Sequence, residues 1–457
     1  MTSRESGLLL NLPLTVVANI LGHLDTFEEL RHAVLSNRIF HNALRENFHT
    51  TASKIITRHI PELTMPYALC LLETTHTVPE GETAVSRILQ QLARRVGSQS
   101  ETRSAVHTLS LPEYHFLERT YKAVHDLTAL FKDKTIPRLT KCLGIQRSNK
   151  ITTREQLHVE RAFFRYQIMC TLFCRKEGSL ALADQSDSQF FNEFSPWVNE
   201  QLICVYIFLE RSVAEAFEDL AAHDVEWGEL PVDWDEDADQ SPPIQEMLTN
   251  GLPFLRAVAG SKSYEERITV MRLEDCVGIA SDRWPSALRY LAVNQDGDDD
   301  ELLGCYDELT PRQEALHLAE RYPLFEKGRD SSDLGPSITW LEAHWGQSLL
   351  TSVFNTDDWN LWLCGYVMWD FDDASMLYLR DKCDELRLQP RDQYRPRDAW
   401  EGKDIERSER QRTDIYFAGG RGYWPQYGPD FSKIRGLDVE KQGELTKKWR
   451  LQGILDA

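Results

Sequence analysis

Few residues in this 457-residue chain have the type and spacing to do chemistry, and each set fails a definite requirement. Cys170 and Cys174 stand four apart, which on a helix sets two sulfurs on one face. Their neighbours are Met169, Leu172 and Phe173, and no second Cys or His pair lies close by, so buried core thiols are expected rather than a zinc site. Asp233, Asp235 and Asp237 alternate, as do Asp296, Asp298 and Asp300. A calcium loop of the helix-loop-helix kind needs Gly at its sixth position and Glu at its twelfth. Here those positions hold Ala238 and Ile244 in one run, Glu301 and Asp307 in the other, so both runs are expected to be solvated acidic loops. Gly419, Gly420 and Gly422 flank Arg421, but no Lys-Ser or Lys-Thr follows to meet a phosphate and its Mg²⁺. Arg421 is read as a surface arginine, with anion binding as the alternative. There is no H-E-x-x-H pair and no G-x-S-x-G elbow. Trp359, Trp362, Tyr366 and Trp369 recur at helical spacing and are expected in the core, or in part along a groove that recognises a protein. No catalytic residue, metal or cofactor is therefore assigned. An enzyme with a dispersed site would need titratable groups gathered around Arg421, His344 or Glu342.

Elements that could position a function are clearer at the start of the chain. Pro13 suits the first turn of a helix, and Val17, Ile20, Leu21 and Leu24 follow at spacings of three and four. Thr26 with Glu29 forms a capping-box pattern for a second helix carrying Leu30, Ala33 and Val34. Ser36 can cap a third, with Ile39, Phe40, Ala43 and Leu44 on its apolar face. About forty residues rarely enclose enough apolar surface to be stable alone. This stripe must be covered by later helices or by another protein.

The order Leu12-Pro13, Val16-Val17-x-x-Ile20-Leu21-x-x-Leu24-Asp25, Leu30, then Val34-Leu35-Ser36-x-Arg38-x-Phe40 resembles the F-box, over residues 8 to about 48. Thr15 and Asn37 depart from the acidic and basic residues common there, though no apolar anchor is lost. The resemblance implies docking on a Skp-type adaptor and, through it, a cullin of a ubiquitin ligase. Adaptor contacts, or the core beneath them, would then be Leu12, Pro13, Val17, Ile20, Leu21, Leu24, Leu30, Leu35, Ile39 and Phe40. Arg161-Ala-Phe-Phe-Arg-Tyr, Gly365-Tyr-Val-Met-Trp-Asp and Gly422-Tyr-Trp-Pro are similar to segments of an uncharacterised group of fungal F-box-like proteins, which brings no known substrate.

Composition narrows the partners. A formal charge of −21 would repel a phosphate backbone, so nucleic acid and acidic membrane surfaces are not expected ligands. No apolar run approaches a membrane span, and none at the N-terminus has secretory length. Nine cysteines scattered along the chain fit reduced thiols, hence an intracellular, cytoplasmic or nuclear, protein.

Helices are expected over Thr50–Arg58, Pro66–Thr74, Glu82–Val96, Pro112–Phe131, Arg154–Arg175 (buried nearly all round) and Phe194–Ala222. Between Ser212 and Leu255 there are twelve Asp or Glu and no Lys or Arg. Shorter elements follow: Pro311–Glu320, Ser337–Trp345 and an aromatic-rich Trp359–Leu379. No leucine-rich, WD or kelch repeat is visible. The expected organisation is an adaptor-docking module over 1–50, a helical domain over 51–224, an acidic linker over 225–243 and a helical, loop-rich region over 244–457. The fold class is mainly α, an N-terminal three-helix module followed by a large irregular helical body with a mixed, loop-rich C-terminal part. By the resemblance, the chain would be the non-catalytic substrate-recognition subunit of a ligase, bridging the adaptor to an unknown target protein. The alternative is a helical scaffold that keeps the opening helices in its own core.

Overall fold

The computed structural model describes residues 12–76, 82–145, 147–174, 190–229, 241–271, 303, 309–322, 335–347, 358–390, 402–425 and 429–454. Both Asp runs considered for calcium lie outside them, as does most of the acidic 225–243 stretch. The fold is mainly α. In chain order the helices are α1 (Leu14–Leu21), α2 (Phe27–Ser36), α3 (Arg38–His59), α4 (Met65–His76), α5 (Glu82–Gly97), α6 (Gln99–His107), α7 (Leu111–Leu143), α8 (Thr153–Phe173), α9 (Pro196–His223), α10 (Pro242–Met247), α11 (Leu252–Gly260), α12 (Tyr264–Val270), α13 (Pro311–Ala319), α14 (Gly335–Ala343), α15 (Trp359–Cys364), α16 (Asp373–Arg387), α17 (Gly402–Phe417) and α18 (Val439–Leu451). Two short strands, β1 (Arg421–Gly422) and β2 (Ile434–Arg435), pair antiparallel. The chain divides into two compact units, each made of two segments: Met1–Val205 with Arg289–Leu388, and Tyr206–Leu288 with Gln389–Ala457.

In the first unit, local capping sets where helices begin. Thr26 Oγ1 accepts the Glu29 N–H at 3.0 Å, and Glu29 reaches back to the Asp25 N–H at 2.9 Å. Asn37, not Ser36, caps α3, by accepting the Ile39 N–H at 3.0 Å, while Ser36 bonds back to Ala33 and ends α2. Both side chains can cap, and one position separates them. The third and fourth expected helices are one helix, α3, with a kink at Asn47 (φ −129°, ψ 30°). Ser110 with Glu113 and Thr152 with Glu155 form the capping boxes of α7 and α8. Helix α7 runs twelve residues past its expected end, to the left-handed Gly144 (φ 68°). Helix α8 buries almost every side chain from Leu157 to Phe173, including Glu160, Arg161 and Arg165, and packs against α4 and α7.

The aromatic segment departs from a single helix. Helix α15 stops at Gly365 (φ 59°), a 3₁₀ turn covers Tyr366–Met368, and α16 restarts behind the Asp372 cap. Trp359, Trp362, Tyr366 and Trp369 are all buried, as core residues. Gly365 is required twice, by its positive φ and because a Cβ would sit 2.8 Å from Phe131 Cζ. Gly365→Ala is therefore expected to cost about 2–4 kcal/mol, combining left-handed strain with overpacking. Urea unfolding of the variant against wild type measures it.

The second unit has its own small core of Val225, Ile415, Trp424, Ile434, Leu445 and Trp449. Phe431 lies parallel to Trp449 with ring centres 5.9 Å apart. Trp424 and Trp449 donate to Gln411 and Asp414, so each buried indole N–H is satisfied. Gly422 (φ 120°) lets β1 approach β2, since a Cβ there would fall 2.4 Å from the Lys433 carbonyl oxygen. The end of α9 is held by the same hairpin, with the Trp424 N–H donating to the His223 carbonyl at 2.8 Å.

Candidate functional site

Helices α1 and α2 both pack against α3. Lys54 on α3 donates to Asn19 on α1, and Arg58 gathers the carbonyls of Gly22 (2.8 Å) and His23 (2.8 Å) at the end of α1. That guanidinium satisfies acceptors a helix C-terminus leaves open. The module is fixed in turn to α7. The Phe27 N–H donates to Glu118 at 3.0 Å, and the Phe27 ring stacks on Tyr114 with centres 5.5 Å apart.

The ten positions singled out in sequence separate into three groups. Val17, Leu21, Leu30 and Ile39 are buried and form the module's own core. Leu12, Leu24 and Phe40 are half-buried. Pro13, Ile20 (46 % exposed) and Leu35 (73 % exposed) stand in solvent. Val16, 40 % exposed, belongs with the last group, although it stands in the F-box-like order without being one of the ten positions. Its signal was present in the spacing: Pro13, Val16 and Ile20 fall at i, i+3 and i+7, along one side of α1.

A second cluster joins residues far apart in sequence. Glu200 on α9 accepts from the Trp340 indole N–H (3.1 Å) and the Tyr366 hydroxyl (2.5 Å), and His344 Nε2 lies 2.9 Å from it. On the other side of the imidazole, Nδ1 is 3.8 Å from Asp358, and Asp358 accepts from Arg387 Nε at 2.6 Å. Burial lowers the proton affinity of His344, but Glu200 and Asp358 outweigh it and hold the imidazole protonated above its usual range. Burial pushes the Asp358 carboxyl up to about 6, against the pull of His344 and Arg387.

Donor atoms of Glu200, His344 and Asp358 lie within 4.8 Å of one another, a spacing a metal ion can bridge. The surroundings do not suit a cation. Glu200 already faces three donors, and the Arg387 guanidinium lies against Asp358 where a divalent ion would be repelled. Two carboxylates facing one guanidinium and one imidazolium form a charge-balanced buried network instead. It ties α9, α14, α15 and α16 together.

No family model, curated protein or solved structure matches the chain.

The other residues considered for chemistry are accounted for by packing. Cys170 and Cys174 are both buried. Glu342 pairs with Arg380 at 2.8 Å and is not part of the His344 network. Arg421 pairs with Glu226 at 2.6 Å and stacks on Tyr416, 4.2 Å from the ring centre. Among the described residues no helix is long and apolar enough to cross a membrane.

Proposed function

We propose that helices α1 to α3 dock a Skp-type adaptor of a cullin-based ubiquitin ligase, and that the rest of the chain holds a target protein. The observation carrying this reading is the division of the F-box-like positions into a buried core (Val17, Leu21, Leu30, Ile39) and solvent-facing apolar side chains (Pro13, Val16, Ile20, Leu35). That core packs α1 and α2 on α3, and α3 in turn packs on α7. The exposed side chains then remain available to a partner, as large apolar groups at a protein interface are. No catalytic group is needed in such a subunit, because holding a target beside a charged conjugating enzyme supplies effective concentration.

The test is direct reconstitution. Purified full-length chain and purified Skp-type adaptor, mixed and run on size exclusion, are expected to elute as a one-to-one complex that survives dilution to micromolar concentration. Separate elution overturns the proposal. The second reading, a scaffold outside any ligase, is favoured by the Phe27 anchorage to Glu118 and Tyr114, which makes the module part of the first unit's own packing.

A further inference from the structure

Helix α18 carries four cations, and the chain's own packing uses two of them. Lys441 donates to the Ala418 carbonyl at 3.0 Å and Lys448 pairs with Asp414 at 2.7 Å, both partners on or just past α17. Lys447 and Arg450 are exposed, and among the described residues their side chains have no ion pair or hydrogen bond. They border an open cleft of about 610 Å³ in the second unit, between α18 and Phe431. No carboxylate lines it, a local reversal in a chain of net charge −21. Its apolar side chains offer open surface: Val439 is 84 % exposed, Leu451 is 80 % exposed and Phe431 is half-buried. The polar groups of its floor are satisfied locally. Thr446 donates to the Gln442 carbonyl at 2.8 Å, and the Gln442 amide donates to that of Leu437 at 3.2 Å.

Gly443 sits in the middle of this face. A glycine inside a helix costs stability relative to alanine. Here a Cβ would meet no atom within 4 Å, so nothing in the chain's own packing requires the glycine. The bare backbone lets another chain approach closely. From Val439 to Leu451 the face extends about 18 Å, room for roughly three turns of a partner helix. Two free cations fall short of the cluster of about four or more that an acidic membrane surface draws on. A second copy meeting this one about a twofold axis would bring the same two cations to the same patch. A helix with carboxylates beside an apolar stripe answers both the charge and the exposed apolar surface.

We propose that this cleft docks a short acidic amphipathic helix of another protein. Its carboxylates meet Lys447 and Arg450, and its apolar side chains lie across Gly443 against Phe431, Val439 and Leu451. None of these residues belongs to α1, α2 or α3, so the site stands apart from adaptor docking.

Calorimetric titration of the full chain with the end-blocked peptide Asp-Glu-Leu-Leu-Glu-Asp-Leu-Phe-Glu-Glu-Leu-Asp tests it. The expected result is saturable one-to-one binding. Affinity should fall at least tenfold when Asn and Gln replace the acids, and at least tenfold for a scramble whose leucines no longer share a face. The Lys447→Gln, Arg450→Gln double variant changes two exposed, unpaired side chains. It is expected to keep its helical circular dichroism and lose at least tenfold in affinity. Gly443→Gln should raise the melting temperature, since glutamine is the better helix former, and yet bind at least tenfold more weakly. No saturable binding, equal affinity for the neutral or scrambled peptide, or unchanged affinity in either variant would each overturn the proposal. So would a wild-type dimer in sedimentation that Gly443→Gln dissociates, which would make the occupant a second copy. Binding to phosphatidylserine vesicles that the double variant loses would make the face a membrane contact and overturn it equally.

Discussion

Arg387→Leu is expected to destabilise the first unit by about 3–5 kcal/mol near neutral pH, the usual cost of leaving one member of a buried ion pair alone. Arg387 Nε lies 2.6 Å from Asp358, whose side chain is wholly buried, while that of Arg387 is 8 % exposed. Without the guanidinium, Asp358 keeps only His344 as a positive neighbour, 3.8 Å away. The Asp358→Leu, Arg387→Leu double variant removes both charges and is expected to recover most of the loss, because an apolar pair of similar volume often replaces a buried ion pair at little cost. Urea unfolding of the two single variants and the double closes the cycle. An Arg387→Leu loss below about 1 kcal/mol would mean that the pair is solvated and the network is not a keystone.

The pH dependence carries a definite sign. Asp358 has its folded pKa raised from 3.8 to about 6, so the folded state binds this proton more tightly than the unfolded chain does. Its contribution to stability is present below that window and falls as pH rises through it. His344 is raised above 6.5, so its contribution is complete below 6.5 and is lost as pH climbs through the folded value. In Arg387→Leu the uncompensated Asp358 can take up a proton at low pH. The gap between variant and wild type should therefore be smaller at about pH 5 than at about pH 8. A gap independent of pH would assign the loss to packing of the arginine stem alone.

Helices were legible in the sequence because their signals are local. The Thr26 and Glu29 cap, the apolar face of α5 and the all-round burial of α8 each lie within one or a few turns. What misled was competition between neighbours: Ser36 and Asn37 can both cap, and Gly365 interrupts an aromatic stripe that keeps helical spacing across it. The buried network was illegible for a different reason. Glu200 and His344 are 144 residues apart, and nothing near either one announces the other. His344 stood out as a titratable residue, but its sequence neighbour Glu342 faces Arg380 instead. Burial of charge is decided by long-range packing, so only the fold shows which carboxylate meets which base. The division of the F-box-like positions into core and surface has the same origin, because Leu21 and Ile20 differ by one residue and point to opposite environments.

That one-residue difference separates the two readings of the opening helices. Ile20→Asp with Leu35→Asp is expected to abolish adaptor binding, weakening it by roughly 4 kcal/mol, near a thousandfold, if each side chain is an interface anchor worth about 2 kcal/mol. Both side chains stand in solvent, at 46 % and 73 % exposure, so each new carboxylate stays hydrated and the melting temperature should hardly move. Leu21→Asp is the counterpart. Leu21 is 2 % exposed, and a carboxylate there would be buried without a donor while the leucine's packing is lost. It is expected to unfold the module, with loss of helical signal before any partner is added. Adaptor binding lost in the double variant with the fold intact, and fold lost in Leu21→Asp, is the pattern of a docking surface on a self-sufficient core. A double variant that still binds the adaptor as tightly as wild type would place any contact elsewhere. A double variant that unfolds would mean that Ile20 and Leu35 serve the chain's own packing, as the scaffold reading requires.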